Sequence, residues 1–84
     1  MSTYAYAMSL PGMPLDQLRR DLRFWMREAS RTRGGDKAAA YDRVQACSDE
    51  LFRREAAGLL DHSAATIYMA EKDALAKDPL QVIP

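Results

Sequence analysis

Residues 15–36 read LDQLRRDLRFWMREASRTRGGD, and this stretch combines one amphipathic helix with the turn that follows it. The apolar residues recur at steps of three and four, the spacing of one face of an α-helix; they are Leu15, Leu18, Leu22, Trp25, Met26 and Ala29. Gly34 and Gly35 then interrupt the pattern, and Asp36 is a good N-cap for a second helix. The stretch therefore predicts a helix over about 15–32, a tight turn and a second helix that begins at 36.

The face of the first helix opposite its apolar stripe carries an unusual combination of residues. At about 100° per residue, Phe24 falls roughly opposite the stripe, in the middle of a polar face. Its neighbours on that side are mainly arginines, and a phenylalanine displayed among arginines indicates a contact surface. We therefore predict a partner-binding site made of Arg20, Arg23, Phe24, Arg27 and Arg31.

The second helix carries one apolar line suited to antiparallel packing on the first. The line comprises Ala40, Val44, Cys47 and Leu51, flanked by Tyr41, Phe52 and Leu59. Ser48 and Glu55 are polar residues on this face, and a buried carboxylate is costly without a partner. Glu55 either pairs with an arginine or reaches water near the helix end, and we favour the second interpretation.

A third helix follows a bend that we place near residues 58–62. Gly58 disfavours a helix by about 1 kcal/mol relative to alanine, and Asp61 or Ser63 could cap a new helix. The predicted fold is all-α, a small helical bundle in which a helical hairpin (15–32 and 36–58) is joined by a third helix (62–77). The alternative is one continuous helix over 36–77, which could bury its apolar face only against another chain.

The two ends of the chain differ from this helical domain, 15–77. Residues 1–14 are uncharged, and Tyr4, Tyr6, Met8 and Leu10 alternate with small residues. Alternation with a period of two predicts either a short strand that needs a pairing edge or an extended arm laid over the helices, and we favour the arm. Asp78 and Pro79 end the third helix, and an apolar C-terminal tail completes 78–84.

Length and charge point towards association with partners. A chain of 84 residues forms one domain whose core gives a small net stability, so a homodimer is expected. The net charge is zero, but residues 17–33 contain six arginines and two acids, whereas residues 48–84 contain seven acids and four basic residues. This asymmetry favours charged recognition, although exposed pairs within one chain, each worth about 0–1 kcal/mol, account for it equally well.

No motif for chemistry is present in the sequence. His62 is the only histidine and Cys47 the only cysteine, and the acids lack the spacing of zinc or calcium sites. Cys47 lies on the apolar line, where a small buried thiol is the usual interpretation. We therefore predict no enzyme activity, metal, cofactor or small-molecule substrate. The single cysteine, with no export signal or membrane-length apolar run, predicts a cytoplasmic protein that does not bind membranes.

One short run of the first helix bears on the prediction that the protein has no enzyme activity. The run Leu15–Leu22 is similar to the opening of the small all-helical chorismate mutases, in which an arginine of the first helix helps to hold a dicarboxylate substrate. Those enzymes need a long unbroken first helix with a second arginine further along it. The glycine pair at 34–35 ends the helix here, so we carry over no catalytic residue.

The sequence favours a small non-catalytic module that binds another protein. Its compact helical profile, rich in arginine and alanine, is typical of phage or mobile-element accessory proteins that bind and inhibit a host macromolecule. The alternative is a nucleic-acid-binding or regulatory protein that uses the arginine-rich first helix to neutralise phosphates while Phe24 stacks on a base.

Overall fold

The computed structural model describes residues 3–77, with side chains from residue 4 onward, and this part of the chain is helical without any strand. Its four helices are α1 (Thr3–Ser9), α2 (Leu15–Arg31), α3 (Gly34–Ala56) and α4 (Ala64–Ala76). The prediction of an all-α hairpin joined by a third helix is confirmed, because α2 packs on both α3 and α4 while α1 lies against α3. The predicted tail, 78–84, falls outside the described residues. No helix within residues 3–77 has the length and hydropathy required to cross a membrane.

The turn between α2 and α3 is shorter than predicted. Arg33 is extended, and Gly34 has a φ of +64°, a conformation that glycine adopts without the strain a side chain would bring. This turn lets α3 begin at Gly34, so Asp36 lies in the first turn of α3 and is not its N-cap. Its carboxylate still lies near the positive end of the helix dipole, which is favourable there.

The core lies between the predicted seams of α2 and α3. Its largest fully buried side chains are Leu10, Leu18, Leu22, Cys47 and Leu51. Trp25 is only partly buried and packs against this cluster. Three residues predicted to flank the apolar line of the second helix are exposed: Tyr41, Phe52 and Leu59. They are exposed because α2 covers only the narrow line of α3 that includes Cys47.

Gly58 separates α3 from α4, so the alternative of one continuous helix is wrong. Gly58 has a φ of +74°, and the following residue, Leu59, donates its backbone N–H to the carbonyl oxygen of Arg54 at 2.9 Å. This arrangement satisfies carbonyl groups at the helix end in the manner of a glycine C-cap. Ser63 caps α4 through its side-chain oxygen, which accepts a hydrogen bond from the backbone N–H of Thr66 at 3.1 Å.

Glu55 also contributes to the start of α4. Its side chain is exposed, as expected for its position near a helix end, and it accepts a hydrogen bond from the backbone N–H of Ala64 at 2.6 Å. Glu55 therefore joins the end of α3 to the first turn of α4.

The extended arm predicted for residues 1–14 is corrected over residues 3–9, which form α1. A helix satisfies its own backbone groups, whereas a strand would need an edge that the described helices do not offer. Tyr6 within α1 and Leu10 just after its end are both buried, and the backbone N–H of Leu10 donates to the carbonyl oxygen of Ala7 at 3.3 Å. The hydroxyl group of Tyr6 donates a hydrogen bond to Asp21 at 2.9 Å and accepts one from Trp25 Nε1 at 3.0 Å.

A buried ion pair fixes the segment that follows α1. Arg54 is buried, and its Nη2 donates to the carbonyl oxygens of Leu10, at 2.9 Å, and Met13. The carboxylate of Glu50 accepts a hydrogen bond from Arg54 Nε at 2.7 Å. It also accepts two hydrogen bonds from Arg53. The hydrogen bonds from Arg53, followed by those from Arg54, lower the pKa of Glu50 below its usual value despite the opposing effect of burial. Glu50 and Arg54 stand four residues apart on α3, the spacing of a helical ion pair, whereas the contact of Arg54 with the segment after α1 is set by tertiary packing.

Candidate partner-binding face

The five residues predicted to bind a partner lie along the outer side of α2, and we call them the arginine face. Four of them line one shallow depression of about 260 Å³; they are Arg20, Arg23, Phe24 and Arg27. Arg31 lies one helical turn beyond and does not line it. Phe24 is 47% exposed, so the prediction that it faces solvent is confirmed.

Phe24 rests on a fixed support. Its ring packs edge to face against Trp25, with centroids 4.8 Å apart and planes at 79°. Trp25 is held by its hydrogen bond to Tyr6 and by the guanidinium group of Arg43, which lies 4.8 Å from a Trp25 ring centroid. An exposed aromatic ring on such a support loses little side-chain freedom when it is covered by a partner.

Arg23 is tied to α4 through a buried carboxylate. Glu71 is 4% exposed and lies between two arginines of α2, with 3.1 Å to Arg23 Nε and 2.6 Å to Arg19 Nε. The sequence contained a signal for this contact that we did not use. Glu71 lies four residues after Ile67 and four before Leu75, on the apolar stripe of the third helix. A carboxylate at that position predicts a basic partner on the facing helix.

Arg20 and Arg31 make looser contacts. Arg20 Nη2 is 3.1 Å from Gln17 Oε1 and 3.5 Å from Asp16 Oδ2, and Arg31 Nη1 is 3.8 Å from Glu28 Oε1. Both arginine side chains are more than half exposed, at 64% and 63%. Exposed pairs of this kind contribute about 0–1 kcal/mol, so a carboxylate on a partner could replace the internal one at little cost.

The face as a whole has an excess of positive charge. Within the part of the chain that the structure describes, the carboxylates paired with Arg19 and with arginines of this face belong to Asp16, Glu28 and Glu71, fewer than the five arginines. The depression around Phe24 is therefore suited to an acidic or aromatic group of a partner.

Two features of the described residues bear on reactive or metal-binding groups, the single cysteine and the clusters of acidic side chains. Cys47 is fully buried, and burial raises the pKa of its thiol from 9.0 to about 11, so the thiolate is scarce at neutral pH. Within residues 3–77, no group of three or more histidine, cysteine, aspartate or glutamate side chains is placed to hold a metal ion.

No protein-family model, curated protein sequence or solved structure matches the chain.

Proposed function

We propose that this protein is a non-catalytic binding module that recognises an acidic surface of a partner protein through the arginine face. The observation that carries this proposal is Phe24, an exposed aromatic ring supported by Trp25 and surrounded by arginines. Aromatic and arginine side chains are the residues most enriched among those that dominate binding energy at protein interfaces. Covering the partner's own contact surface would make the protein an inhibitor, the role expected of the accessory proteins described above.

The same face gives less support to nucleic-acid binding, the competing function. Affinity for nucleic acid comes mainly from arginines and lysines that neutralise phosphates. Here Arg19 and Arg23 share the carboxylate of Glu71, and Asp16 and Glu28 lie within 4 Å of the outer arginines. Carboxylates within the face repel a phosphate backbone, whereas a protein partner can be arranged to avoid them.

Light scattering distinguishes the two functions. The mass of the protein is measured at low and high salt, with and without a generic DNA or RNA oligonucleotide. A mass that does not respond to the oligonucleotide agrees with a protein-binding module. A complex with oligonucleotide that dissociates as salt is raised would replace the proposal with nucleic-acid binding.

Replacing Phe24 with alanine tests the face directly, and Phe52→Ala is the matched control. The two phenylalanines are exposed to similar extents, 47% and 52%, on different helices. We expect Phe24→Ala to lower the melting temperature by no more than about 5 °C and to weaken partner binding at least tenfold. Phe52→Ala, compared with it at concentrations at which the protein is monomeric, retains binding. A photo-crosslinking phenylalanine at position 24 identifies the partner before affinities are measured.

Two results would contradict the proposal. Equal binding by wild type and Phe24→Ala would remove Phe24 from the interface. A large fall in melting temperature for Phe24→Ala would show that the ring stabilises the fold and is not kept exposed for a partner.

A further inference from the structure

A second surface, on α3 and away from the arginine face, has a pattern of its own. Tyr41, Gln45, Ser48 and Phe52 follow one another at steps of four, three and four, so they form one stripe along the helix. Tyr41 is 55% exposed and Phe52 is 52% exposed. The stripe has an aromatic residue at each end and two polar residues in the middle, and this order is the same when it is read in either direction.

The stripe continues as an apolar surface onto α4. Two open grooves are lined by both Val44 and Tyr68. One, of about 230 Å³, is bounded by α2, α3 and α4, and the other, of about 290 Å³, lies between α3 and α4. Tyr41 borders one groove, whereas Phe52 and the exposed Met69 border the other. The grooves therefore make one continuous surface with a Tyr41 end and a Phe52 end.

The two ends of this surface carry opposite charges. At the Tyr41 end, Lys37 Nζ lies 5.9 Å from the ring centroid of Tyr41, and Lys72 lines the groove. At the Phe52 end, Glu55 lies one helical turn further along α3, beside the first turn of α4. A basic end and an acidic end on one surface are complementary to a copy of the same surface turned end over end.

We propose that this surface, the α3–α4 face, binds a second copy of the chain with α3 antiparallel to α3. A two-fold axis between Gln45 and Ser48 places Tyr41 against Phe52 of the partner subunit. The same operation places Lys37 near Glu55 of the partner subunit. Each contact then occurs twice, as the symmetry of a two-fold interface requires. This proposal is independent of the partner that the arginine face binds.

The size of the surface sets the strength of the dimer. Tyr41, Phe52 and Met69 are each about half exposed, so together they would bury roughly 300 Å² per copy. Standard stable interfaces bury about 800 Å² per partner, including their polar rim. Because the apolar contact is small, we expect a weak dimer.

Sedimentation equilibrium over a range of concentrations tests the interface. We expect wild type to pass from monomer to dimer at roughly 1–100 µM. Phe52→Lys should remain monomeric because it places a positive charge in the apolar contact, beside Lys37 of the partner subunit. Phe24→Lys, the matched control on the other face, should dimerise as wild type does. Both variants are checked by circular dichroism for a folded chain. A wild type that stays monomeric, or a dimer that Phe52→Lys does not weaken, overturns the proposal and leaves the α3–α4 face to a different partner or to none.

Disulfide formation tests the antiparallel arrangement. Ala38 and Ala56 are exposed residues near the two ends of the stripe, and both tolerate a small substitution. Ala38→Cys and Ala56→Cys should each form no disulfide-linked dimer alone but form one with each other when mixed, since α3 antiparallel to α3 brings only the unlike positions together. Native Cys47 is fully buried and takes no part. Disulfide formation by either variant alone would show a parallel arrangement and overturn the proposal.

Discussion

At the scale of single residues, Tyr6 joins three helices through one hydroxyl group. The group lies within hydrogen-bond distance of Asp21 and Trp25 on α2 and 3.4 Å from the thiol of Cys47 on α3. Burial, followed by Cys47 and Asp21, raises the pKa of Tyr6 far above its usual value against the smaller opposing effect of the hydrogen bond from Trp25. The hydroxyl therefore stays protonated and keeps donating to Asp21. Trp25 in turn supports Phe24, so this contact fixes the arginine face as well as α1.

Replacing Tyr6 with phenylalanine should therefore destabilise the protein without changing its shape. Trp25 Nε1 loses its acceptor, and a polar group left unsatisfied in a buried place costs about 1–3 kcal/mol. We expect a fall of that size in the free energy of unfolding by urea, together with a shift in Trp25 fluorescence. Tyr4→Phe is the control, because Tyr4 is 75% exposed on the same helix and should leave both quantities unchanged. If the two variants unfold alike, the hydroxyl of Tyr6 contributes nothing to stability.

At the scale of helices, the glycines divide into two classes. Gly34 and Gly58 have positive φ at the start of α3 and just after its end, whereas Gly35 has an ordinary φ inside α3 with open space around its α-carbon. A side chain at a positive φ is strained, but alanine in a helix loses less backbone entropy than glycine on folding.

Alanine substitutions at these positions should therefore have opposite effects. We expect Gly58→Ala to lower the free energy of unfolding by about 1 kcal/mol and Gly35→Ala to raise it by about 0.5–1 kcal/mol. Thermal unfolding followed by circular dichroism measures both. A stabilising Gly58→Ala would mean that α3 continues through this position in solution, as in the continuous helix rejected above.

Some of the helices could be predicted from the sequence and one could not. The α2–α3 hairpin could be predicted because the periodicity around Leu18 and Leu22 and the break at Gly34 are local signals. The helix α1 could not, since seven residues with alternating apolar positions fit a strand as well, and only the distant partners of Tyr6 select the helix.

The candidate sites likewise contain some features that the sequence predicted and others that depend on tertiary packing. The exposure of Phe24 followed from its position opposite the apolar stripe of α2, and this prediction was confirmed. Glu50 lies three and four residues before Arg53 and Arg54, so its ion pairs agree with helical spacing. The arginines that pair with Glu71 belong to α2 and are brought close to it only by tertiary packing. The pattern of large and polar residues on the α3–α4 face was present in the sequence, but its exposure became evident only once the position of α2 on α3 was known.

At the scale of the whole molecule, the helices form a thin body of 42 × 29 × 16 Å. Packed helices lie about 8–10 Å apart, so the shortest dimension is only about two helices deep. Such a body cannot cover every side of each helix, which explains why the outer sides of α2 and α3 both display aromatic rings. A dimer through the α3–α4 face would carry two arginine faces, and a partner with two acidic sites would then gain apparent affinity by binding both.

The pH range over which this body stays folded should depend on Glu50. The pKa of Glu50 is lower in the folded chain than in the unfolded chain, where it is about 4.3. Ionised Glu50 therefore stabilises the fold fully above the unfolded pKa, and this stabilisation is lost as the pH falls through the pKa of the folded state. Glu50→Gln should cost about 3 kcal/mol at neutral pH because it leaves the buried Arg54 without its counter-ion. The free energy of unfolding of the Glu50→Gln variant should also change less than that of wild type between pH 6 and about 3.

Urea unfolding at several pH values measures both effects. Asp49→Asn serves as the control, since Asp49 is exposed and only accepts a hydrogen bond from Gln45. If Glu50→Gln and wild type lose stability in parallel as the pH falls, acid sensitivity arises from other carboxylates.

The hydrogen bond from Arg54 to the carbonyl oxygen of Leu10 has a consequence for synthesis on the ribosome. The arginine follows Leu10 by 44 residues, so at translation rates of about 5–20 residues per second it is made roughly 2–9 s later. The seven residues of α1 are too few for a stable isolated helix, so α1 is not settled before its contacts on α2 and α3 exist. During that interval Tyr6 and Leu10 are uncovered on the nascent chain and open to chaperones. The first segment to be made therefore reaches its final position only after most of α3 has been synthesised.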